Sequence, residues 1–127
     1  MKKILIVEDD SLYLKELKAI FNHEEIDVIS ANNGQKGLKM ALLLRPDLIL
    51  LDMLLPKMHG MTVLKRLRAY NGWGKKVPVI IITVLKGDDD KLNKDIAATE
   101  PAYYLVKTCC ALEDVAAKAR EVLNNKP

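Results

Sequence analysis

The sequence predicts an α/β fold, a doubly wound five-stranded parallel sheet, and three observations carry that expectation. Five short β-branched or apolar runs recur along the chain, segments with helical spacing separate them, and the runs at Ile4, Leu48 and Val79 are apolar almost throughout. A strand wetted on one face alternates polar with apolar, whereas a strand covered by helices on both faces does not. These three runs therefore belong in the middle of a parallel sheet.

The strands are expected at 2–7 (KKILIV), 27–31 (DVISA), 47–51 (DLILL), 77–82 (VPVIII) and 103–106 (YYLV). Between them lie apolar stripes at helical spacing: Leu14, Leu17, Ile20 and Phe21; Leu38, Ala41 and Leu42; Gly60, Val63, Leu64 and Leu67. After the fourth strand Asp88, Asp89 and Asp90 crowd the start of a helix, where negative charge suits the dipole. Its stripe is thin, mainly Leu92 and Ile96. The last helix carries Leu112, Val115, Ala116, Ala119 and Val122. Ser11 is the expected cap of the first helix, Pro46 stops the second, and Asn71-Gly72-Trp73-Gly74 reads as a loop. The order is βαβαβαβαβα, with right-handed crossovers.

At 127 residues, without internal repeat or linker, the chain is expected to be a single domain spanning 1–127. It is 50% hydrophobic and 29% charged, the composition of a compact water-soluble protein. The apolar stretch around 48–55 is broken by Asp52, far short of the ~20 residues of a membrane span, and the start lacks the apolar length of a secretory signal. A cytoplasmic location without membrane partner follows as the expectation. The net charge of +3 is mild and its cations are dispersed, so direct nucleic-acid binding is not expected. Cys109 and Cys110 are adjacent, where a disulfide would close a strained ring; they read as buried or half-buried thiols in a reducing compartment.

In an open parallel sheet, ligands bind beyond the carboxyl ends of the strands. Glu8 and Asp9 follow the first strand, Asp52 the third, Thr83 ends the fourth and Lys107 follows the fifth, so five polar side chains are expected at one edge. Three carboxylates gathered there repel each other unless a proton or cation neutralises them. A hard divalent ion suits them: magnesium takes one or two carboxylates, keeps several waters and accepts phosphate oxygens. His23 and His59 lie elsewhere, which argues against zinc. With the ion in place Asp52 can act as nucleophile toward a phosphoryl donor, Lys107 can neutralise one equatorial oxygen and the Thr83 hydroxyl can donate to another.

At this point the chain resembles, over essentially its whole length, the receiver domain of two-component response regulators, the family that includes single-domain chemotaxis regulators. The resemblance is carried by 4–10 (ILIVEDD), 46–60 (PDLILLDMLLPKMHG), 78–83 (PVIIIT) and 104–107 (YLVK). It implies a flavodoxin-like (βα)5 fold with strand order 2-1-3-4-5. It implies Asp52 as phosphoacceptor and magnesium, or manganese in its place, with Asp9 as direct ligand. Glu8 would act through water, and the backbone carbonyl of Leu54 would be a third protein ligand. The donor would be a phosphohistidine on a sensor histidine kinase or phosphotransfer protein, and the readout a downstream protein target or an output domain. Such a domain catalyses its own phosphorylation and is not a turnover enzyme. The family's switch pairs Thr83 with an aromatic on the fifth strand, here Tyr104. It reshapes the surface around the helix after the fourth strand, the fifth strand and the last helix. The thin stripe of that helix makes it the element expected to move.

Four positions depart from the family's pattern. Val84 stands where Ala or Gly is usual, Thr108 where a Pro with a cis bond is usual, and Glu100-Pro101 where Gly-Ala is common. A cis bond before a non-proline residue costs roughly 3–4 kcal/mol, so the Lys107–Thr108 bond is expected to be trans. These departures leave the acceptor chemistry in place and bear on the switch. They keep a second reading open, a receiver-fold binding module with a weak or atypical response to phosphorylation. An Asp-nucleophile phosphatase would want a second Asp where Leu54 stands, and acidic residues after the first strand would repel a flavin phosphate. His59 reads as a solvated loop residue, Met53, Met58 and Met61 as core or rim, and Trp73 as a loop anchor or a partner contact. With no output domain before the end at Asn124-Asn125-Lys126-Pro127, the chain reads as a stand-alone regulator or a fragment of a longer one.

Overall fold

The structure, a computed structural model, describes residues 1–22, 24–70, 72–84 and 90–125. His23, Asn71, Asp88, Asp89, Lys126 and Pro127 lie outside the described residues. The elements run β1 (Lys2–Val7), α1 (Ser11–Phe21), β2 (Ile26–Ala31), α2 (Gly34–Leu44), β3 (Leu48–Leu51), α3 (Gly60–Tyr70) and α4 (Gly72–Lys76). They continue with β4 (Val79–Thr83), α5 (Asp90–Thr99), β5 (Tyr103–Val106), a 3-10 turn (Lys107–Cys109) and α6 (Leu112–Asn125). All strand pairs are parallel and the order is β2-β1-β3-β4-β5, as expected.

Successive residues of the central strands point to opposite faces, so one apolar run builds two cores. Leu5, Val7, Ile49, Leu51, Val79 and Ile81 pack with Ala41 of α2 and Val63, Leu64 and Leu67 of α3. Ile4, Ile6, Leu48, Leu50, Ile80 and Ile82 pack on the other side with Leu17 and Phe21 of α1 and Val115, Ala116, Ala119 and Leu123 of α6. Full burial of each such aliphatic side chain contributes about 1.5–3 kcal/mol, which makes the sheet a rigid base for whatever its ends carry. α5 is different: Thr99 is its one buried residue, while Leu92 and Ile96 only half-bury.

Several local expectations are corrected. The cap of α1 is Asp10, whose carboxylate accepts from the N–H groups of Leu12 and Tyr13; Ser11 is already helical. α2 ends through Arg45, at φ 44°, one residue ahead of Pro46. Gly72–Lys76 forms a short helix instead of a loop, because the Arg68 guanidinium donates to Gly74 O (3.0 Å) and Val77 O (2.6 Å) and gathers the turn. Trp73 packs half-buried on the α2–α3 side, with the Arg45 guanidinium 5.8 Å from its ring centroid. Cys109 is exposed, not buried, because the 3-10 turn lifts it away from the sheet; Cys110 half-buries against α6's core. Every described peptide bond is trans, Lys107–Thr108 included.

Candidate functional site

The sheet's hydrogen bonding sets the two buried acids. Beyond the end of β1, Glu8 N–H still donates to Ala31 O (3.0 Å), and beyond β3, Asp52 N–H donates to Val7 O (3.1 Å). Both side chains are therefore fixed at the carboxyl edge by the same ladders that hold the core. Behind Asp52 the start of α3 presses close: Gly60 N–H donates to Met53 O (2.9 Å), and a Cβ on Gly60 would collide with the Asp52 carbonyl oxygen. Only glycine lets α3 approach that closely.

Glu8 is 0% and Asp52 4% exposed, whereas Asp9 is exposed. One carboxylate oxygen from each of the three lies within 4.8 Å of the others, a set of oxygen donors that could hold a metal ion. Asp52 Oδ1 accepts from Leu54 N–H (3.2 Å), and its Oδ2 faces Lys107 Nζ at 3.3 Å. The same ammonium stands closer to Glu8 Oε1, at 2.6 Å, while Glu8 Oε2 accepts from Asp10 N–H (3.1 Å). Oε1 has no aligned hydrogen bond among the described residues, so the ammonium's charge is what answers its burial.

The charges do not balance in favour of the bare anion. Burial pushes the Glu8 carboxyl up to about 7, outweighing Lys107 and the Asp10 N–H, which act in the opposite direction; Asp52 adds to the rise. Burial alone would lower the Lys107 ammonium, yet its bonds and attraction to Glu8 and Asp52 hold it above its ordinary value. One lysine thus faces a cluster with more negative charge than it can neutralise, and the donors are all carboxylate oxygen. That donor set fits a hard divalent cation and gives no soft or imidazole ligand.

Thr83 is fully buried at the last position of β4, opposite Val106 in the ladder. Tyr104 sits on β5 opposite Ile81 and half-buries on the α2–α3 side. Contacts in the structure bring together Glu8, Asp9, Asp52 and Lys107; Thr83 is placed by its strand position, and Leu54 reaches Asp52 through its N–H. His59 is exposed and outside the cluster, Met53 and Met61 are buried and Met58 half-buried. Sequence reasoning missed two participants. Asp10, passed over for Ser11, both caps α1 and binds Glu8; Tyr13, not among the stripe residues expected for α1, lies against Lys107. An open groove of about 550 Å3 between Pro78, Tyr103 and Glu121 lies at the other end of the sheet, away from these carboxylates.

A parallel doubly wound sheet with carboxylates and a lysine gathered at its carboxyl edge defines an α/β domain of the class that binds its ligands at that edge. The profile of the response regulator receiver domain matches residues 4–120. Response regulator ArlR of Staphylococcus saprophyticus is 34% identical over 128 aligned positions, which cover 100% of this chain and 54% of that protein. The Staphylococcus aureus ArlR is likewise 34% identical, with 55% of its length covered. The chain spans about half the length of the curated relatives it matches. Among solved structures, a CheY-like response regulator receiver domain protein of Methanospirillum hungatei superposes with a TM-score of 0.85 at 25% identity, covering 98% of this chain and 94% of that one. The signal receiver domain of a histidine kinase from Syntrophus aciditrophicus gives 0.83 at 27% identity, covering 98% and 91%. The chain belongs to the response regulator receiver domain family, the phosphoacceptor modules of two-component signalling.

Proposed function

We propose that residues 1–127 act as one receiver domain in which Asp52 takes a phosphoryl group from the phosphohistidine of a sensor histidine kinase or phosphotransfer protein. The observation that carries the reading is the posture of Asp52: nearly buried, with Oδ1 tied to Leu54 N–H (3.2 Å) and Oδ2 facing Lys107 at 3.3 Å. A carboxylate oxygen held this way attacks phosphorus, the P–N bond of the donor breaks, and its electron pair stays on the imidazole nitrogen. Glu8, Asp9 and Asp52, with the Leu54 carbonyl, would hold a magnesium or manganese ion, which when bound supplies positive charge to the phosphoryl oxygens. Lys107 turns from the acids toward a further oxygen of the new acyl phosphate, and the Thr83 hydroxyl donates to another.

Phosphorylation then draws Thr83 toward the site, Tyr104 follows, and α5, which buries only Thr99, shifts to present a new surface to a downstream partner or output domain. In this role the domain acts as a signalling phosphoacceptor in the cytoplasm rather than as a turnover enzyme. Among the described residues no helix is long and apolar enough to cross a membrane. The test is intact mass after incubation with acetyl phosphate and magnesium. Wild type is expected to gain one phosphoryl mass that Asp52→Asn and chelator-treated wild type do not. Equal labelling of Asp52→Asn would reject the acceptor, and no labelling of wild type would favour the receiver-fold binding module.

A further inference from the structure

We infer that Tyr13 is a positioning residue for Lys107, its ring face holding the ammonium within reach of both Glu8 and Asp52. The inference rests on the phosphoacceptor reading above. Lys107 Nζ lies 4.3 Å from the centroid of the Tyr13 ring, inside the ~6 Å range over which an aromatic face attracts a cation. The same atom is 2.6 Å from Glu8 Oε1 and 3.3 Å from Asp52 Oδ2, and the lysine side chain is only 13% exposed. Two carboxylate oxygens and one ring face therefore bound the ammonium. A lysine stem left to itself samples many rotamers, and the turn that carries this one follows Val106, which gives it no side-chain cap to steady it.

The ring is itself held from two directions. Asp10 Oδ1 accepts from Tyr13 N–H (3.2 Å), so the cap of α1 fixes the backbone of the residue, and its side chain packs against the core shared by α1 and α6. Asp10 also donates its own N–H to Glu8 Oε2 (3.1 Å), so one cap residue sets both the acid and the aromatic face that share the ammonium. The Tyr13 hydroxyl is buried and has no hydrogen-bond partner among the described residues. Among the described residues the ring face, not the hydroxyl, is what meets the ammonium. A leucine, apolar but smaller and without a π face, would leave the partly desolvated ammonium beside a surface that offers it no charge, and Lys107 would be held by Glu8 and Asp52 alone.

The test follows the Lys107 Hε resonances of the full chain by NMR, together with the initial rate of labelling by acetyl phosphate and magnesium. Ring-shifted, upfield Hε signals are expected in wild type and Tyr13→Phe and are expected to be lost in Tyr13→Leu. Tyr13→Phe is expected to label within about twofold of wild type, and Tyr13→Leu about five- to tenfold more slowly. Rescue by phenylalanine separates the ring from the hydroxyl, and the upfield Hε shift separates a ring face held over the ammonium from mere filling of space. Unshifted Hε signals in wild type, labelling of Tyr13→Leu at the wild-type rate, or Tyr13→Phe as slow as Tyr13→Leu would each overturn the inference. If Tyr13→Leu does not fold, the wild-type and Tyr13→Phe spectra and rates still decide. If wild type takes no label, the acceptor reading fails, while the Lys107 resonances still show whether the ring holds the ammonium.

Discussion

Two cations organise opposite ends of this sheet, and they are satisfied in different ways. At the amino end, Arg68 donates to the carbonyls of Thr99 (2.7 Å), Gly74 (3.0 Å), Val77 (2.6 Å) and Glu100 (3.3 Å), pinning α4, the entry to β4 and the end of α5. At the carboxyl end, Lys107 faces the ionisable oxygens of Glu8 and Asp52. Carbonyls neither titrate nor take up a phosphoryl group, so nothing in the Arg68 assembly responds directly to pH or phosphorylation. Carboxylates do both, so the Lys107 assembly is built to be rearranged. Arg68 thus anchors α5 at its last turn, away from the edge where we propose that charge changes.

Substitutions at the two cations should separate these roles. Lys107→Met keeps the stem but leaves Glu8 and Asp52 facing each other, and loss of one partner from a buried pair costs about 3–5 kcal/mol. Urea melts should show that cost at pH 8 and a much smaller one at pH 5, where Glu8 is protonated. Arg68→Ala strands four carbonyls and should cost about 2–4 kcal/mol at both pH values, with phosphoryl labelling unchanged. A pH-dependent loss for Arg68→Ala would erase the contrast.

The Glu8 carboxyl sharpens it further. Its folded value of about 7 lies above its ordinary 4.5, so protonation favours the fold. The stabilisation is fully present below about pH 4.5 and is lost as pH rises through about 7, amounting to up to about 3 kcal/mol. Metal-free wild type should therefore melt at a lower temperature at pH 8 than at pH 5.5, and Glu8→Gln should flatten that dependence. The smallest effect belongs to the Arg68 end. Glu100 adopts φ 48° where α5 stops, a conformation that costs a side-chain-bearing residue about 1 kcal/mol, so Glu100→Gly should stabilise the protein by that amount in urea titrations.

The contrast also explains what could be read from the chain in advance. The apolar runs at Ile4, Leu48 and Val79 announced the central strands because burial on both faces leaves no other composition possible. The acidic cluster was legible because its members follow strands, and topology alone brings strand ends together. Arg68 was not, since a basic residue in a helix's last turn looks the same whether it meets solvent or four carbonyls. The helix at Gly72–Lys76 was hidden for the same reason: glycine-rich sequence reads as loop, and what orders it comes from Arg68 and from the contact of Gly74 with the Leu67 carbonyl. Asp10 and Ser11 are both competent caps, and only the hydrogen bonds choose between them. Tyr13 lies four residues before Leu17 on the core face of α1, and nothing in a one-dimensional pattern says that its ring will also meet a lysine from the far end of the chain.

We propose that the carboxylates at the sheet's edge exceed what Lys107 can neutralise and that a divalent ion completes them. Thermal melting of wild type and Asp9→Asn at pH 7.5, with and without millimolar magnesium, measures it directly. Magnesium should raise the melting temperature of wild type and leave Asp9→Asn almost unmoved; no rise in wild type, or an equal rise in both, would mean that these carboxylates do not hold the ion.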